Sequence, residues 1–190
     1  MNDAWLTAAR ETLAGYRRMI DAVLEQTDDE VLVRRPRPGM NSIAVILRHL
    51  GGNLQSRFTD FLTTDGEKPT RDRDAEMQDW PGSRAELMAW FDTGWSCFTE
   101  TLEALGPADV DRTVWIRGVD HTIPDAIDRA LTHVSYHIGQ VMLLARLLRE
   151  SDDGWNWLTV APGESRAFNE ETWGTAASRS VLGAQPKAHA

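Results

Sequence analysis

The sequence is short of cysteine, of long apolar runs and of basic charge, and each shortage excludes a class of protein. Its single cysteine, Cys97, allows neither an intrachain disulfide nor a cysteine-rich zinc site, and it favours a reducing compartment. No apolar run approaches the roughly 20 residues that a membrane span needs. Acidic residues outnumber basic ones and give a net charge of −9, which disfavours nucleic-acid binding because an acidic surface repels phosphate.

These shortages favour a cytoplasmic globular protein with neither a membrane nor a nucleic acid as partner. The first residues, MNDAWLTAARETL, lack the basic segment and apolar core of a secretory signal. A length of 190 residues favours one domain with a sizeable core. We place that domain at residues 1–175 and predict that residues 176–190 form a flexible C-terminal tail.

Four long segments carry the three- and four-residue apolar spacing that is typical of amphipathic helices. The third opens with the spacing of a capping box, and the fourth has a proline in its first turn, where a missing N–H costs nothing. The predicted helices run from an N-cap at Asp3 to about Gln26, from Asn41 or Ser42 to about Thr63, from Ser83 to Gly106, and from Thr122 to about Glu150.

The connections predict how these helices are arranged. Residues 64–82 are rich in turn formers and mixed charge, and such a long crossover lets the second and third helices lie parallel. Two short β-branched stretches around Gly118 predict a small β-hairpin before the fourth helix. The expected fold is therefore all-α: a four-helix bundle in up-down-down-up order with a small added hairpin.

Two histidines of the fourth helix have the spacing of a metal site. His133 and His137 are four residues apart, so both project from one helix face, one turn apart. Two imidazoles in this position can bind one metal ion. The pair alone is weak evidence, because helix-surface histidines and core histidines bonded to their neighbours also show this spacing.

A third histidine strengthens the metal interpretation. At roughly 100° per residue, His133 and His137 lie to one side of the apolar stripe of their helix. On the second helix His49 lies at about the same angle on the same side. In two neighbouring antiparallel helices, residues on the same side of the apolar stripe face each other. The up-down-down-up order makes the second and fourth helices antiparallel. His49 therefore faces the pair if the axial offset of the helices also fits.

The surrounding residues narrow the chemistry of this site. A helical metalloprotease has Glu directly after the first histidine, where this chain has Val134, and the Glu positions of a ferritin-like di-iron site are also apolar here. Three imidazoles with an open position suit Zn²⁺ or Ni²⁺. Asn53 and Gln140, near His49 and His137, are candidates to hydrogen-bond the ligands, although a solvated or capping role fits both amides equally.

The remaining reactive residues have simpler interpretations. His121 is interpreted as a loop residue, and lining the mouth of the histidine site is its alternative role. His189 belongs to the predicted tail. Cys97 lies between apolar aromatic residues, which favours an inert buried thiol over a nucleophile. The charged run 71–74 is typical of a solvated loop, and holding a partner or a substrate carboxylate is its alternative role.

At these residues the sequence resembles a known superfamily. HLGGN in the second helix, followed by HxxxHxGQ in the fourth, resembles the DinB/YfiT-like metal-binding four-helix proteins. The long segment that begins NSIAVILRHLGGN and the stretch GWNWLTVAPGESRAFN resemble an uncharacterised bacterial branch of that superfamily. The resemblance covers roughly residues 5–170, and the combination of motifs is specific although each motif alone is not.

The resemblance implies an up-down-down-up bundle, a divalent metal held by His49, His133 and His137, and a homodimer. Better-understood relatives are metal-dependent S-transferases or isomerases that use a thiol such as bacillithiol, mycothiol or glutathione. Our hypothesis is a metal-dependent transferase that activates a low-molecular-weight thiol, or water, against a small electrophile. The alternatives are a metal-dependent hydrolase and a non-catalytic metal-binding or dimerisation scaffold. No catalytic residue is assigned, and the substrate and the role of residues 64–82 stay open.

Overall fold

The computed structural model describes residues 2–151 and 154–174, and these are mostly helical with a small antiparallel hairpin. None of the described helices is both long enough and apolar enough to cross a membrane. In chain order the described elements are α1 (Asn2–Leu24), α2 (Asp29–Val33), α3 (Ile43–Phe58), α4 (Arg73–Glu76), α5 (Arg84–Ala104), β1 (Thr113–Ile116), β2 (Val119–Thr122), α6 (Ile123–Leu147) and α7 (Ser165–Trp173).

The chain divides into two compact units, residues 1–153 and residues 154–190. All elements from α1 to α6 belong to the first unit, and α7 belongs to the second. The single domain at residues 1–175 stays a prediction. The predicted tail at residues 176–190, with His189, lies outside the described residues.

The four predicted long helices are α1, α3, α5 and α6, and the first of them differs from its prediction at its start. α1 begins at Asn2, so Asp3 lies in the first turn instead of capping the helix. A carboxylate is favourable there as well, because the N-terminal end of a helix carries partial positive charge. Leu6, Leu13 and Ile20 are buried at the predicted spacing.

α3 begins where the sequence predicts and ends about one turn early. The Ser42 side chain accepts a hydrogen bond from the Val45 N–H, which satisfies one of the free donors at the helix start. The helix ends at Phe58, because Asp60 takes a φ of 50°, a left-handed conformation that cannot continue an α-helix. Phe61 is buried beyond the helix end, so the apolar spacing extends further than the helix does.

α5 and α6 have the predicted caps. At α5 the Ser83 side chain accepts from the Glu86 N–H while the Glu86 carboxylate accepts from the Ser83 N–H, which completes the capping box. At α6 the Thr122 side chain accepts from the Asp125 N–H, and Pro124 lies in the first turn. The two caps fix where these helices enter the core.

α3 and α5 run parallel and very close together. Trp90 Nε1 donates to the Arg48 carbonyl, and Thr101 Oγ1 donates to the Phe58 carbonyl, so the contacts advance in the same direction along both helices. A Cβ on Gly94 would lie 2.1 Å from the carbonyl oxygen of Gly51. The two backbones therefore touch at a point where neither helix has room for a side chain.

α1 runs antiparallel to α5, and α6 packs on α1 and α3. Arg10 donates to the Leu102 carbonyl near the end of α5, whereas Arg17 pairs with Asp92 nearer its start. The largest fully buried side chains come from the four long helices and α2: Phe91, Phe98, Leu6, Ile20, Leu32, Ile43, Leu47, Leu50, Leu54, Leu87, Leu102 and Ile123.

The predicted hairpin before α6 is confirmed. β1 and β2 pair antiparallel, with Val114 opposite His121. The two turn residues, Arg117 and Gly118, have φ values of 56° and 71°, the positive values that two-residue hairpin turns need to match the strand twist. The buried face of β1 joins the core through Val114 and Ile116.

The crossover at residues 64–82 contains α4, a single helical turn. Its first part is bonded to α3 and to the hairpin: Ser56 Oγ donates to the Gly66 carbonyl at 2.9 Å, and the Gly66 N–H donates to the Trp115 carbonyl at 2.7 Å. Asp72 then caps the single turn of α4 by accepting from the Ala75 N–H. The crossover is thus an ordered part of the first unit.

Candidate metal centre

Three histidines from α3 and α6 converge on one point. His133 and His137 project from adjacent turns of α6, and His49 faces them from α3. Their available ring nitrogens all lie within 4.8 Å of one another, and His49 Nε2 is 3.2 Å from His133 Nε2. His49 and His137 are buried and His133 is half-buried. The axial offset that the sequence left open therefore brings the three rings together.

The donor set suits a divalent cation. Two nitrogens bound to one tetrahedral Zn²⁺ are about 3.4 Å apart, which is close to the separation of the His49 and His133 nitrogens. Neutral imidazole nitrogens repel each other through their lone pairs unless a proton or a metal ion lies between them. Three imidazoles without a thiolate suit Zn²⁺ and Ni²⁺.

Two of the three imidazoles are neutral at physiological pH. Burial, together with the nearby His137, His49, Arg71 and Arg57, lowers the pKa of His133 to about 3. Burial also lowers the pKa of His137 to about 4, although its hydrogen bond with Gln140 acts in the opposite direction. A neutral imidazole has a free lone pair, so both side chains are in the form that binds metal.

His49 is held by a buried carboxylate that the sequence analysis missed. Its Nδ1 lies 2.9 Å from Glu76 Oε2, so Nδ1–H donates to the carboxylate and Nε2 keeps its lone pair toward the other histidines. Arg71 in turn donates to both oxygens of Glu76 at 2.8 Å. The side chains of Arg71 and Glu76 are only 4% and 5% exposed, so the interpretation of 71–74 as a solvated loop is wrong for Arg71.

The carboxylate of Glu76 stays ionised. Burial alone would raise the pKa of Glu76, but the hydrogen bonds from Arg71 and His49 lower it below its ordinary value. A carboxylate that accepts from the distal nitrogen of a metal-binding imidazole fixes the ring orientation and makes the imidazole a stronger ligand. Glu76 and Arg71 thus form the support of His49.

The second glycine of HLGGN gives Glu76 its position. A Cβ on Gly52 would lie 2.2 Å from Glu76 Oε1 and 2.7 Å from its Cδ. A Cβ on the first glycine, Gly51, would lie 2.7 Å from Cδ1 of the Trp90 indole. Each glycine of the motif therefore clears space for a different neighbour: one for α5 and one for the carboxylate that supports His49.

The histidines of α6 have weaker support. Gln140 Oε1 lies 2.8 Å from His137 Nδ1, so the amide oxygen accepts from the ring and leaves Nε2 free. His133 Nδ1 is buried and, within residues 2–151 and 154–174, has no hydrogen-bond partner. Tyr136 packs against both rings, with centroids 5.2 Å from His133 and 4.3 Å from His137.

A cavity of about 540 Å³ opens beside the histidines. His49 and His133 lie in its wall, together with Asn53 and Tyr136. Among the described residues no hydrogen bond joins Asn53 to the three histidines, so the structure places this amide beside the site and not in a bond to a ligand. A cavity of this size accepts a small organic molecule.

The other reactive side chains lie elsewhere. Cys97 is partly exposed on α5, with its sulfur 3.8 Å from Thr59 Oγ1, and it is not in the cavity wall. The expectation of a fully buried thiol is therefore wrong, because α5 turns this position toward its edge. His121 is on β2 opposite Val114, also outside the wall.

Comparison with known proteins gives a family but no activity. A family described as "Protein of unknown function (DUF1572)" matches residues 1–164. A search of curated proteins finds no match to the chain. The matched region contains all three histidines and both residues that support His49.

Proposed function

The chain belongs to the DUF1572 family of unknown function, and we propose that it is a metal-binding four-helix protein of the DinB/YfiT-like superfamily. Its proposed activity is that of a metal-dependent transferase that activates a low-molecular-weight thiol against a small electrophile. His49, His133 and His137 are the proposed ligands of a divalent ion, with Zn²⁺ or Ni²⁺ preferred.

The helix directions support an up-down-down-up bundle. α3 and α5 are parallel, α1 is antiparallel to α5, and α6 packs on both α1 and α3. A bundle of four long helices with one long crossover has these relations. The homodimer and the cytoplasmic location remain predictions from the resemblance and the composition.

The observation that carries the metal proposal is the convergence of three histidine nitrogens within 4.8 Å of one another, with His49 and His133 in the wall of a cavity. Burial keeps two of the imidazoles neutral, and Glu76 directs the lone pair of His49 toward them. A structural role for these histidines would not need the buried charge of Glu76 and Arg71 behind His49.

A bound divalent ion supplies a Lewis acid that lowers the pKa of a coordinated thiol or water. The protein's own side chains supply the binding of the ion and the packing around it. His49, His133 and His137 would hold the ion, and Tyr136 packs against the two α6 rings and keeps them in place. Because Cys97 is outside the wall, we expect the reactive sulfur to belong to a co-substrate.

Metal analysis tests the site directly. Protein purified without chelator should contain about one divalent ion per chain, and His133→Ala should lower this content at least tenfold because one of three ligands is lost. His121→Ala, which lies outside the cavity wall, is the matched control and should keep its metal. Equal metal content in the wild type and His133→Ala would refute the site.

An activity assay separates the proposed transferase from its rivals. The metal-loaded protein is incubated with a panel of small thiols and electrophiles, and product is measured in the wild type and in His49→Ala. Thiol conjugation that disappears in His49→Ala supports the proposal. Cleavage of esters or amides without any thiol supports a hydrolase instead, and metal binding with neither activity supports a scaffold.

A further inference from the structure

The cavity beside the histidines has a local charge opposite to that of the protein. The chain carries a net charge of −9, yet the wall of this cavity contains five arginines and one acidic residue, Asp128. An acidic protein repels anions at long range, so a basic wall at this one place indicates what the cavity binds. The arginines are Arg57, Arg71, Arg73, Arg117 and Arg129.

Three of these arginines already have carboxylate partners in the protein. Arg57 and Arg117 each lie 2.9 Å from Glu67 Oε2, and Arg71 holds both oxygens of Glu76. These side chains build the wall, and Arg71 also supports His49 through Glu76. Glu67 and Glu76 offset two of the three positive charges.

The other two arginines have no carboxylate partner among residues 2–151 and 154–174. Arg73, the first residue of α4, and Arg129 on α6 are exposed at the cavity, and neither has an ion pair or a side-chain hydrogen bond with any residue that the structure describes. Tyr136 lies in the same wall, two turns beyond Arg129 on α6, so these two side chains project from one side of that helix. Two guanidinium groups and a phenol O–H therefore line the same cavity.

We propose that the molecule bound in this cavity carries a carboxylate, which Arg73 and Arg129 hold while its reactive end lies at the three histidines. This inference rests on the proposed function, because it names the substrate class of the same site. Guanidinium groups bind carboxylates through paired N–H donors, and Tyr136 adds a neutral donor beside them. The five arginines outnumber Asp128, Glu67 and Glu76 by two charges, so this wall attracts an anionic group.

A pair of thiols tests the proposal by spectroscopy. 3-Mercaptopropionate and its uncharged amide are titrated into the cobalt-loaded protein, and sulfur binding is read from the thiolate-to-cobalt absorption band. The acid should bind about tenfold more tightly than the amide, as expected for a charge-assisted pair at a partly exposed site. Equal Kd values for the two thiols would overturn the proposal.

Variants show whether the two arginines are responsible. Arg73→Ala and Arg129→Ala should each weaken binding of the acid by about three- to tenfold and leave binding of the amide within about twofold. The control is Arg112→Ala, whose arginine pairs with Asp109 outside the cavity wall and should change neither Kd. Loss of affinity for both thiols would assign the arginines to the fold and refute the carboxylate role.

Two further readouts complete the test. Inorganic phosphate and acetate are compared as competitors of 3-mercaptopropionate, and stronger competition by phosphate would replace the carboxylate assignment. In the metal-free protein, the Nε resonances of Arg73 and Arg129 should shift on addition of 3-mercaptopropionate but not of its amide. If cobalt does not bind, the proposed function fails, and these resonances still decide whether a carboxylate is held.

Discussion

The two sides of the histidine cluster are built differently. On the α3 side, His49 is held by a buried ionised carboxylate that a buried arginine holds in turn. On the α6 side, His137 has one amide partner, and His133 has no partner for Nδ1 among the described residues. The same residue type thus has charged support on one helix and weaker support on the other.

The difference shows which histidine of the proposed metal site has the strongest support. A charge-assisted hydrogen bond is roughly twice as strong as a neutral one and also increases the basicity of the imidazole. Spacing along one helix already sets His133 against His137, whereas His49 must be aligned across two helices. The strong support lies on the ligand whose position the local sequence does not determine.

The largest effect is expected from removal of the charge behind His49. Glu76→Gln should weaken metal binding by about 10- to 100-fold, because the imidazole loses its anionic partner, and should lower Tm because Arg71 is left buried without a counter-charge. Metal affinity is measured by competition with a chelator. Asp79→Asn, an exposed carboxylate on the same segment, is the control, and an unchanged affinity in Glu76→Gln would remove the special role of the α3 side.

A smaller effect should follow when Glu76 is displaced but kept. In Gly52→Ala the new Cβ occupies the position of Glu76 Oε1, so the carboxylate must move away from His49, and metal affinity should fall about tenfold. Gly15→Ala in α1 is the matched control. Its Cβ would meet only Arg18 at 3.8 Å, so affinity should not change and stability should rise slightly. Equal affinities in the two variants would contradict the account of Gly52.

On the α6 side the expected effect on affinity is smaller still. Gln140→Ala removes a neutral partner of His137, which water can replace at this exposed position, so metal affinity should fall by about threefold. The same chelator competition measures it. A loss as large as that of Glu76→Gln would show that the two sides are equally supported and would end the contrast drawn here.

The α6 histidines also predict a pH dependence of the metal-free protein. Their pKa values are depressed to about 3 and about 4, below the ordinary 6.5, so the unfolded chain binds more protons at intermediate pH. Their contribution to stability is complete above pH 6.5 and is lost as the pH falls toward 4. Between pH 7 and pH 5, Tm should fall by at least about 3 °C more in the wild type than in His133→Gln/His137→Gln. An equal decrease in Tm in the wild type and in the double variant would contradict these pKa values.

The sequence predicts features that depend on local spacing. The four long helices, the caps of α5 and α6, and the hairpin around Gly118 follow from turn chemistry and apolar periodicity. The angle of His49 on its helix was also predictable, because it follows from helix geometry. The end of α3 was not, since the left-handed conformation of Asp60 interrupts an apolar pattern that continues to Phe61.

Glu76 was not predictable because its role depends on the path of the crossover. The segment has no periodicity, and its charged residues look like those of any solvated loop. Only the folded chain shows that Arg71 and Glu76 are buried while their neighbour Arg73 is exposed. The available signal was Gly52, because a second glycine inside a helix has a cost that a close neighbour explains.

The position of Glu76 on α4 has a thermodynamic consequence. This single helical turn belongs to the crossover that also bonds to α3 at Ser56 and to the hairpin at Trp115. A ligand that binds His49 more tightly when Glu76 is in place must, by reciprocal linkage, also stabilise the arrangement of the crossover that holds Glu76 against His49. Slower hydrogen exchange at the amides of residues 64–76 would then report occupancy of a site to which none of those residues directly binds.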